Sequence, residues 1–310
     1  MSNYQDKKEA FIKSLISPSS TPEEVKYKRS KASPLRYAGG KSLAVGFIAE
    51  LLPQKQIKHL VSPFFGGGSF EISVSNSLNI EVRGSDIFNL LVNYWQQHLK
   101  DSESFANELL KFEPNPEYYK LIREKLKNHW KEINLIKDPL SLAAIYYYNH
   151  NCSYGPHFLG HPSSVYLQED RYAKMVQKAR DFKAPKVSVE ELTFAEAIRG
   201  NRSSFLYCDP PYYLSGDMFI GMYPHRNFPI HHNGFDHQLL RDLLVSHKGG
   251  WVLSYNDCPE IREMYKGFKM STPKWQYTFG QGDTRLGENR INGNGTHIKK
   301  SHEILIWKDH

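Results

Sequence analysis

Asp209-Pro210-Pro211-Tyr212 stands directly after the apolar run Ser204-Phe205-Leu206-Tyr207-Cys208. A short apolar run bounded by breakers predicts a buried strand. Two consecutive prolines after it fix φ and remove two N–H donors. The corner therefore offers acceptors, the Asp209 carboxylate beside the Pro210 carbonyl, with the Tyr212 ring following. Such a surface suits a planar base that carries an exocyclic amino group: the amino hydrogens go to the acceptors and the ring stacks on the tyrosine. Alone, the same residues also describe a proline turn with a solvated aspartate, so the segments upstream decide between the two.

Phe65-Gly66-Gly67-Gly68 is a glycine turn after an expected strand. Bare backbone there lets a cofactor lie close, and the following helix N-terminus favours a negative group. The run lacks the third glycine of a dinucleotide fingerprint. Asp86 closes the next strand about 20 residues on, where a ribose-binding carboxylate is expected, and it is equally placed to cap the helix that follows. Arg36-Tyr37-Ala38-Gly39-Gly40-Lys41 precedes the first strand. Tyr37 can cover a ring, Lys41 can meet a carboxylate, and Gly39 and Gly40 admit backbone. The spacing of a phosphate-binding loop is absent, which argues against an ATPase.

The elements that must position these groups alternate. Strands are expected at Ile57 to Phe64, Ile80 to Gly84, Lys186 to Val189, Ser204 to Cys208, Trp251 to Ser254, Trp275 to Phe279 and Glu303 to Trp307. Helices are expected from Ser69, over Ile87 to Lys100, Thr193 to Ile198, Phe235 to Ser246 and Pro259 to Tyr265. The opening strand–glycine turn–helix–strand–acid order begins a doubly wound sheet. Residues 1–33 read as a polar N-terminal extension with a short helix at Lys7 to Leu15. Residues 101–183 break the alternation with helical pieces and then an aromatic stretch, Tyr146 to Tyr172. They are expected to form an inserted, mainly helical subdomain between 34–100 and 184–310.

At 310 residues with 40% hydrophobic content the chain can build a sizeable core. No apolar stretch approaches a membrane span and the N-terminus lacks a signal-peptide block, so a cytoplasmic location is expected. Cys152, Cys208 and Cys258 are far apart, which argues against a disulfide framework or a zinc site. His225, His231, His232 and His237 lack acidic or thiolate company, so no metal is expected. The net charge is +7. Lys26, Lys28, Arg29, Lys31 and Arg36 gather ahead of the first motif, and Arg285, Arg290, Lys299 and Lys300 lie in a late glycine- and asparagine-rich segment. Basic side chains on loops suit a polyanion.

Taken in order, Leu35 to Lys41, Pro63 to Ser69, Asp86 and Asp209 to Tyr212 resemble the Dam-type (alpha-group) DNA adenine-N6 methyltransferases. Phe235-Asp236-His237, Leu253 to Asp257 and His302 to Ile306 are also similar to that family. The resemblance covers about residues 34–308. Ser62 departs from it, standing where an acidic residue commonly precedes Pro-Phe, and Met222 to His232 looks like an extra insertion. The resemblance implies a Rossmann-like methyltransferase sheet, mostly parallel with an antiparallel C-terminal strand, and makes 101–183 the target-recognition subdomain. It implies methyl transfer from S-adenosylmethionine to N6 of a flipped adenine in double-stranded DNA, without metal. By the same resemblance Tyr37, Lys41, Asp86 and Asp209 line the cofactor pocket with Gly39, Phe65, Gly66 and Gly68, Lys41 on the methionine carboxylate and Asp86 on the ribose. Phe194 is expected against the cofactor's adenine. Asp209, Pro210 and Tyr212 are the catalytic candidates.

For DNA, Asn149, Asn151, Tyr154 and His157 combine amide, imidazole and aromatic groups in a loop-like segment that could read base edges or fill the gap left by an extruded base. Arg285, Arg290, Lys299 and Lys300 are expected on phosphates. The family admits a cognate restriction endonuclease as a partner. Two rival readings stay open: cytosine-N4 methylation, whose commoner form has serine in place of Asp209, and a non-catalytic DNA-binding regulator with the same fold.

Overall fold

Breakers and caps in the sequence set most element boundaries. A computed structural model describes residues 4–21, 24–132, 135–213, 234–273, 276–277, 299–300 and 303–309. Helix α1 (Tyr4–Leu15) and the short α2 (Val45–Glu50) precede strand β1 (His59–Ser62). Helix α3 (Ser69–Leu78) starts directly after Gly68, whose φ of 61° is left-handed. Strand β2 (Glu81–Asp86) leads to α4 (Asn89–Lys100). Three helices then begin with side-chain caps: α5 (Ser102–Leu109) behind Asp101, α6 (Pro116–Lys131) behind Asn115, and α7 (Pro139–Asn151) behind Asp138. Each such cap contributes about 1 kcal/mol. Next come α8 (Glu169–Arg180), β3 (Val187–Glu191), α9 (Phe194–Gly200) and β4 (Phe205–Cys208). Helix α10 (His237–Ser246) is capped by Asp236 and followed by β5 (Trp251–Asn256) and α11 (Pro259–Met264). Strands β6 (Lys269–Ser271), β7 (Gln276–Tyr277), β8 (Lys299–Lys300) and β9 (Glu303–Lys308) close the chain.

The chain divides into two compact units. The first comprises residues 1–29, 43–64 and 194–310. In it β4 runs parallel to β1 and to β5, β9 pairs antiparallel with β5, and β6 pairs antiparallel with β9. All four residues of β4 are buried, as expected of a parallel strand covered on both faces. Leu206 and Cys208 meet Trp251, Leu253, Tyr255, Ile304 and Ile306, with Leu240, Leu244 and Ile261 from the helices. The register sets Cys208 against Leu253 and Asn256 against Glu303. The C-terminal ends of β4 and β5 and the start of β9 therefore lie at one edge.

The second unit comprises residues 30–42 and 65–193. Strands β2 and β3 pair in parallel from Val82–Val187 to Asp86–Glu191. Helix α4 lies against β3 and α7, and α5 lies against α7 and α8. The protein is thus mixed α/β, with parallel strand pairings in both units and antiparallel C-terminal strands.

Three features go beyond the sequence pattern. The N-terminal extension carries packed residues: Lys8 is buried and donates to the backbone carbonyls of Leu52 and Glu50, while the buried Tyr27 lies against Gly46 and bonds Glu50. Helix α7 runs to Asn151 with every residue from Ala143 onward buried, so the polar groups expected on a loop there lie on a helix covered all round. Helices α2 and α8 and strands β6 and β8 went unexpected. Among the described residues no helix is long and apolar enough to cross a membrane, and no three metal-ligating side chains gather. His225, His231 and His232, with the rest of the Met222 to His232 insertion, lie outside the described residues.

Candidate active site

In the first unit, Asp209 leaves the C-terminal end of β4, the edge where open α/β sheets bind ligands. One strand over, Ser254 donates its hydroxyl to Asp209 Oδ1 at 2.8 Å. Ser254 is buried and lies 3.3 Å from the Tyr207 hydroxyl. The carboxylate is therefore aimed by a rigid neighbouring strand. The turn beyond it is clasped as well: the Asn256 amide accepts from Tyr213 N–H at 2.8 Å and donates to Tyr213 C=O at 2.7 Å. Tyr212 donates its hydroxyl to Glu303, at the start of β9, and its ring lies tilted 6.5 Å from that of Tyr255. Pro210 is buried, whereas Asp209, Tyr212 and Tyr213 are half-exposed.

Aromatic rings extend this surface. Phe194 stacks on Phe64 at 5.6 Å and meets Phe235 at 5.1 Å. Phe235 contacts His237, which contacts Tyr213 edge-on and bonds the Tyr255 hydroxyl. Burial lowers the His237 pKa, with Asp236 opposing it, so this imidazole is a neutral spacer.

In the second unit the glycine turn and Asp86 form one structure. Asp86 accepts from Gly66 N–H and from Phe88 N–H, each at 3.1 Å. Burial pushes its carboxyl above the usual range, while backbone bonds to Phe88, Gly66 and Ile87 pull it back. It holds the turn and the segment leading into α4, whose cap position is Phe88 and carries no side-chain cap bond. Trp95 Nε1 donates to Gly66 C=O at 2.9 Å, and Phe65 meets the Trp95 ring edge-on. Tyr37 lies against the turn so closely that a Cβ on Gly67 would stand 2.6 Å from the Tyr37 Cβ. Gly39 has a φ of 72°, and Lys41, 5% exposed, donates to its carbonyl at 3.1 Å. Tyr37, Gly39, Lys41, Phe65, Gly66, Gly68 and Asp86 thus share this unit.

The DNA candidates part company. Asn149 is 0% exposed: its amide donates to the Tyr119 hydroxyl at 2.9 Å and accepts from Leu159 N–H at 2.8 Å. Asn151 is buried too and accepts from Arg36 N–H at 2.7 Å. Asn149 fastens the following loop from inside and Asn151 the upstream segment 34–36, which corrects the expectation that they face base edges. Arg36 departs from the basic-cluster expectation in the same way, donating to the carbonyls of Asn151 and Ser153 with its guanidinium 3.6 Å over the Tyr166 ring. Tyr154 is 72% exposed and His157 half-buried. Lys299 and Lys300 form β8, paired with β7, and Arg285 and Arg290 lie outside the described residues. Sequence reasoning did not single out Ser254, Asn256 or Glu303 individually. The one signal for them was their place at strand ends inside segments that resemble the family.

Comparisons with known proteins give the family. The DNA adenine methylase of Salmonella typhi is 27% identical over 286 residues, 87% of this chain and 93% of that protein. The DNA adenine methylase of Salmonella typhimurium strain LT2 matches with the same figures. The family model for D12 class N6 adenine-specific DNA methyltransferases matches residues 37–279, from the tyrosine over the glycine turn to well past the Asp209 corner. With most of its length so matched, the chain belongs to the D12 class of N6 adenine-specific DNA methyltransferases.

Proposed function

We propose that this adenine methyltransferase draws its methyl group from S-adenosylmethionine and acts on an adenine turned out of double-stranded DNA. The observation that carries the reading is Asp209, aimed by Ser254 at the carboxyl end of β4 with Tyr212 held beside it. Adenine's amino nitrogen is a poor nucleophile because its lone pair is delocalised into the ring. Hydrogen bonds from the amino group to Asp209 and to the Pro210 carbonyl pull the nitrogen toward sp³ and localise that pair. Tyr212, its hydroxyl tied to Glu303, receives the unstacked ring. When bound, the cofactor supplies a sulfonium methyl, an electrophile with a good leaving group.

The second unit's residues fit that cofactor. Lys41 brings a buried ammonium for a carboxylate, Asp86 a carboxylate for ribose hydroxyls, and the glycine turn bare backbone. Two buried polar atoms nearby, the Tyr146 hydroxyl and His150 Nδ1, have no hydrogen-bond partner among the described residues. Phe194, stacked on Phe64, suits the cofactor's adenine. For DNA, the exposed Tyr154 and the half-buried His157 are the contacts we assign to the α7 segment, with Lys299, Lys300, Arg285 and Arg290 on phosphates. The helical segment 101–183 is read as the target-recognition subdomain.

The test is Asp209→Ala, assayed by direct sequencing of modified bases in DNA treated with the purified enzyme. Methylation should fall by at least about 10³-fold, while melting temperature and DNA affinity stay near those of the parent. A variant that methylates at the parental rate would end the proposal.

A further inference from the structure

Helix α7 carries two buried polar atoms that no described residue satisfies. Tyr146 is 0% exposed and its hydroxyl has no partner among the described residues; His150, one turn later on the same face, is 4% exposed and its Nδ1 has none. Buried polar atoms in folded proteins are nearly always paired, and an unpaired one calls for a ligand, a water or a functional reason. Two on one helix face, four residues apart, with rings 4.7 Å from each other, call for a shared one. The face they occupy is that of the cofactor turn: His150 stacks at 5.9 Å and 8° on Tyr37, and Tyr37 lies against Gly66 and Gly67.

Chemistry narrows the ligand group. Burial holds the Tyr146 phenol protonated, reinforced by Tyr37 and Asp86. It is a neutral O–H beside a carboxylate. Burial also lowers His150 to about 3, so the ring is neutral. His150 has a hydrogen bond with the Arg36 backbone. Because Arg36 N–H donates to Asn151, that bond runs from the imidazole N–H to the carbonyl, which leaves Nδ1 as a bare acceptor. A group that accepts the Tyr146 proton and donates to His150 Nδ1 is the one that satisfies both atoms in full. A carboxylate cannot donate and an ammonium cannot accept. A hydroxyl does both.

We infer that Tyr146 and His150 bind the ribose diol of the cofactor, completing the hydrogen bonding that Asp86 begins. The inference rests on the reading of Asp86 as the ribose-binding acid. It makes the helix that anchors the 152–166 loop also a sensor of the nucleoside, so cofactor binding and the posture of Tyr154 share one rigid element.

Calorimetry on the full chain with S-adenosylhomocysteine and with 5′-methylthioadenosine, which keeps the ribose but lacks the amino acid, tests it. Tyr146→Phe should weaken both ligands about tenfold, and the melting temperature of the free protein should hold or rise, since an unpaired hydroxyl has been removed. His150→Phe, which preserves the stack on Tyr37, should weaken both ligands similarly. Unchanged affinity in both variants, or a loss confined to S-adenosylhomocysteine, would overturn the ribose contact. A free protein destabilised in step with the loss of binding would mark Tyr146 as merely structural and overturn it too. Failure of the parent enzyme to bind either ligand would bring down the cofactor reading itself, a result distinct from all of these.

Discussion

Asp86 and Asp209 both end a parallel strand, and they are held in opposite ways. Asp86 accepts backbone N–H groups from the glycine turn and from its own downstream segment, so it is part of the frame of the second unit. Asp209 is aimed by the Ser254 side chain on the adjacent strand, in a corner where Pro210 and Pro211 offer no donors. A carboxylate that organises backbone cannot be altered without altering the fold around it. One that is oriented by a side-chain hydroxyl can be tuned alone. The difference separates a group suited to holding a ligand in one geometry from a group suited to acting on one.

The sharpest way to break this contrast is a pair of isosteric changes. Asp209→Asn should reduce the methylation rate by 10²-fold or more with an unchanged melting temperature, because Ser254 can still donate to the amide oxygen. Asp86→Asn should lower stability by about 1–3 kcal/mol, since the new NH₂ faces the Gly66 or Phe88 N–H, and should weaken S-adenosylhomocysteine together with it. Equal destabilisation of the two variants in urea would erase the distinction. Acid weighs most on the second unit, His237 in the first being lowered in the same direction. His98 and His150, both in the second unit, are held neutral by burial, at about 4 and about 3. A histidine whose folded pKa is depressed contributes stability that is present above its unfolded value near 6.5 and is lost as pH falls toward the folded value. Stability should drop below pH 6.5 by up to roughly 1.4 kcal/mol per pH unit for each. Urea midpoints between pH 7.5 and 5 should show this slope, and His98→Phe should flatten part of it.

Smaller effects follow from the supports. Gly67→Ala drives a methyl into Tyr37 and should cost about 1–3 kcal/mol, read by thermal melting, with weaker cofactor affinity and an undisturbed Asp209 corner. Ser254→Ala removes the aim of Asp209 and should lower kcat about tenfold while the cofactor KM stays put. A KM change of the same size would show that Ser254 serves binding, not orientation.

The local pattern of the chain was enough to find the elements around both acids. Helix α3 begins at Ser69 as the glycine turn predicts, and β4 occupies Phe205–Cys208 inside its expected run, because apolar periodicity and breakers act over a few residues. Asp209, Asp86, Tyr37 and Lys41 stood out as candidates for the same reason, as residue types at breaks in pattern. Their partners were not. Ser254, Asn256 and Glu303 reach the Asp209 corner only through the register that sets Cys208 beside Leu253 and Asn256 beside Glu303. Asn149 and Asn151 show the converse: composition marked them as readers of bases, but α7 is covered on every side and turns their amides inward. Sequence names which groups can do chemistry, because that depends on covalent structure. Which of them face a ligand and which are buried as fasteners depends on strand register and on how helices cover one another, and those arise only from contacts far apart along the chain.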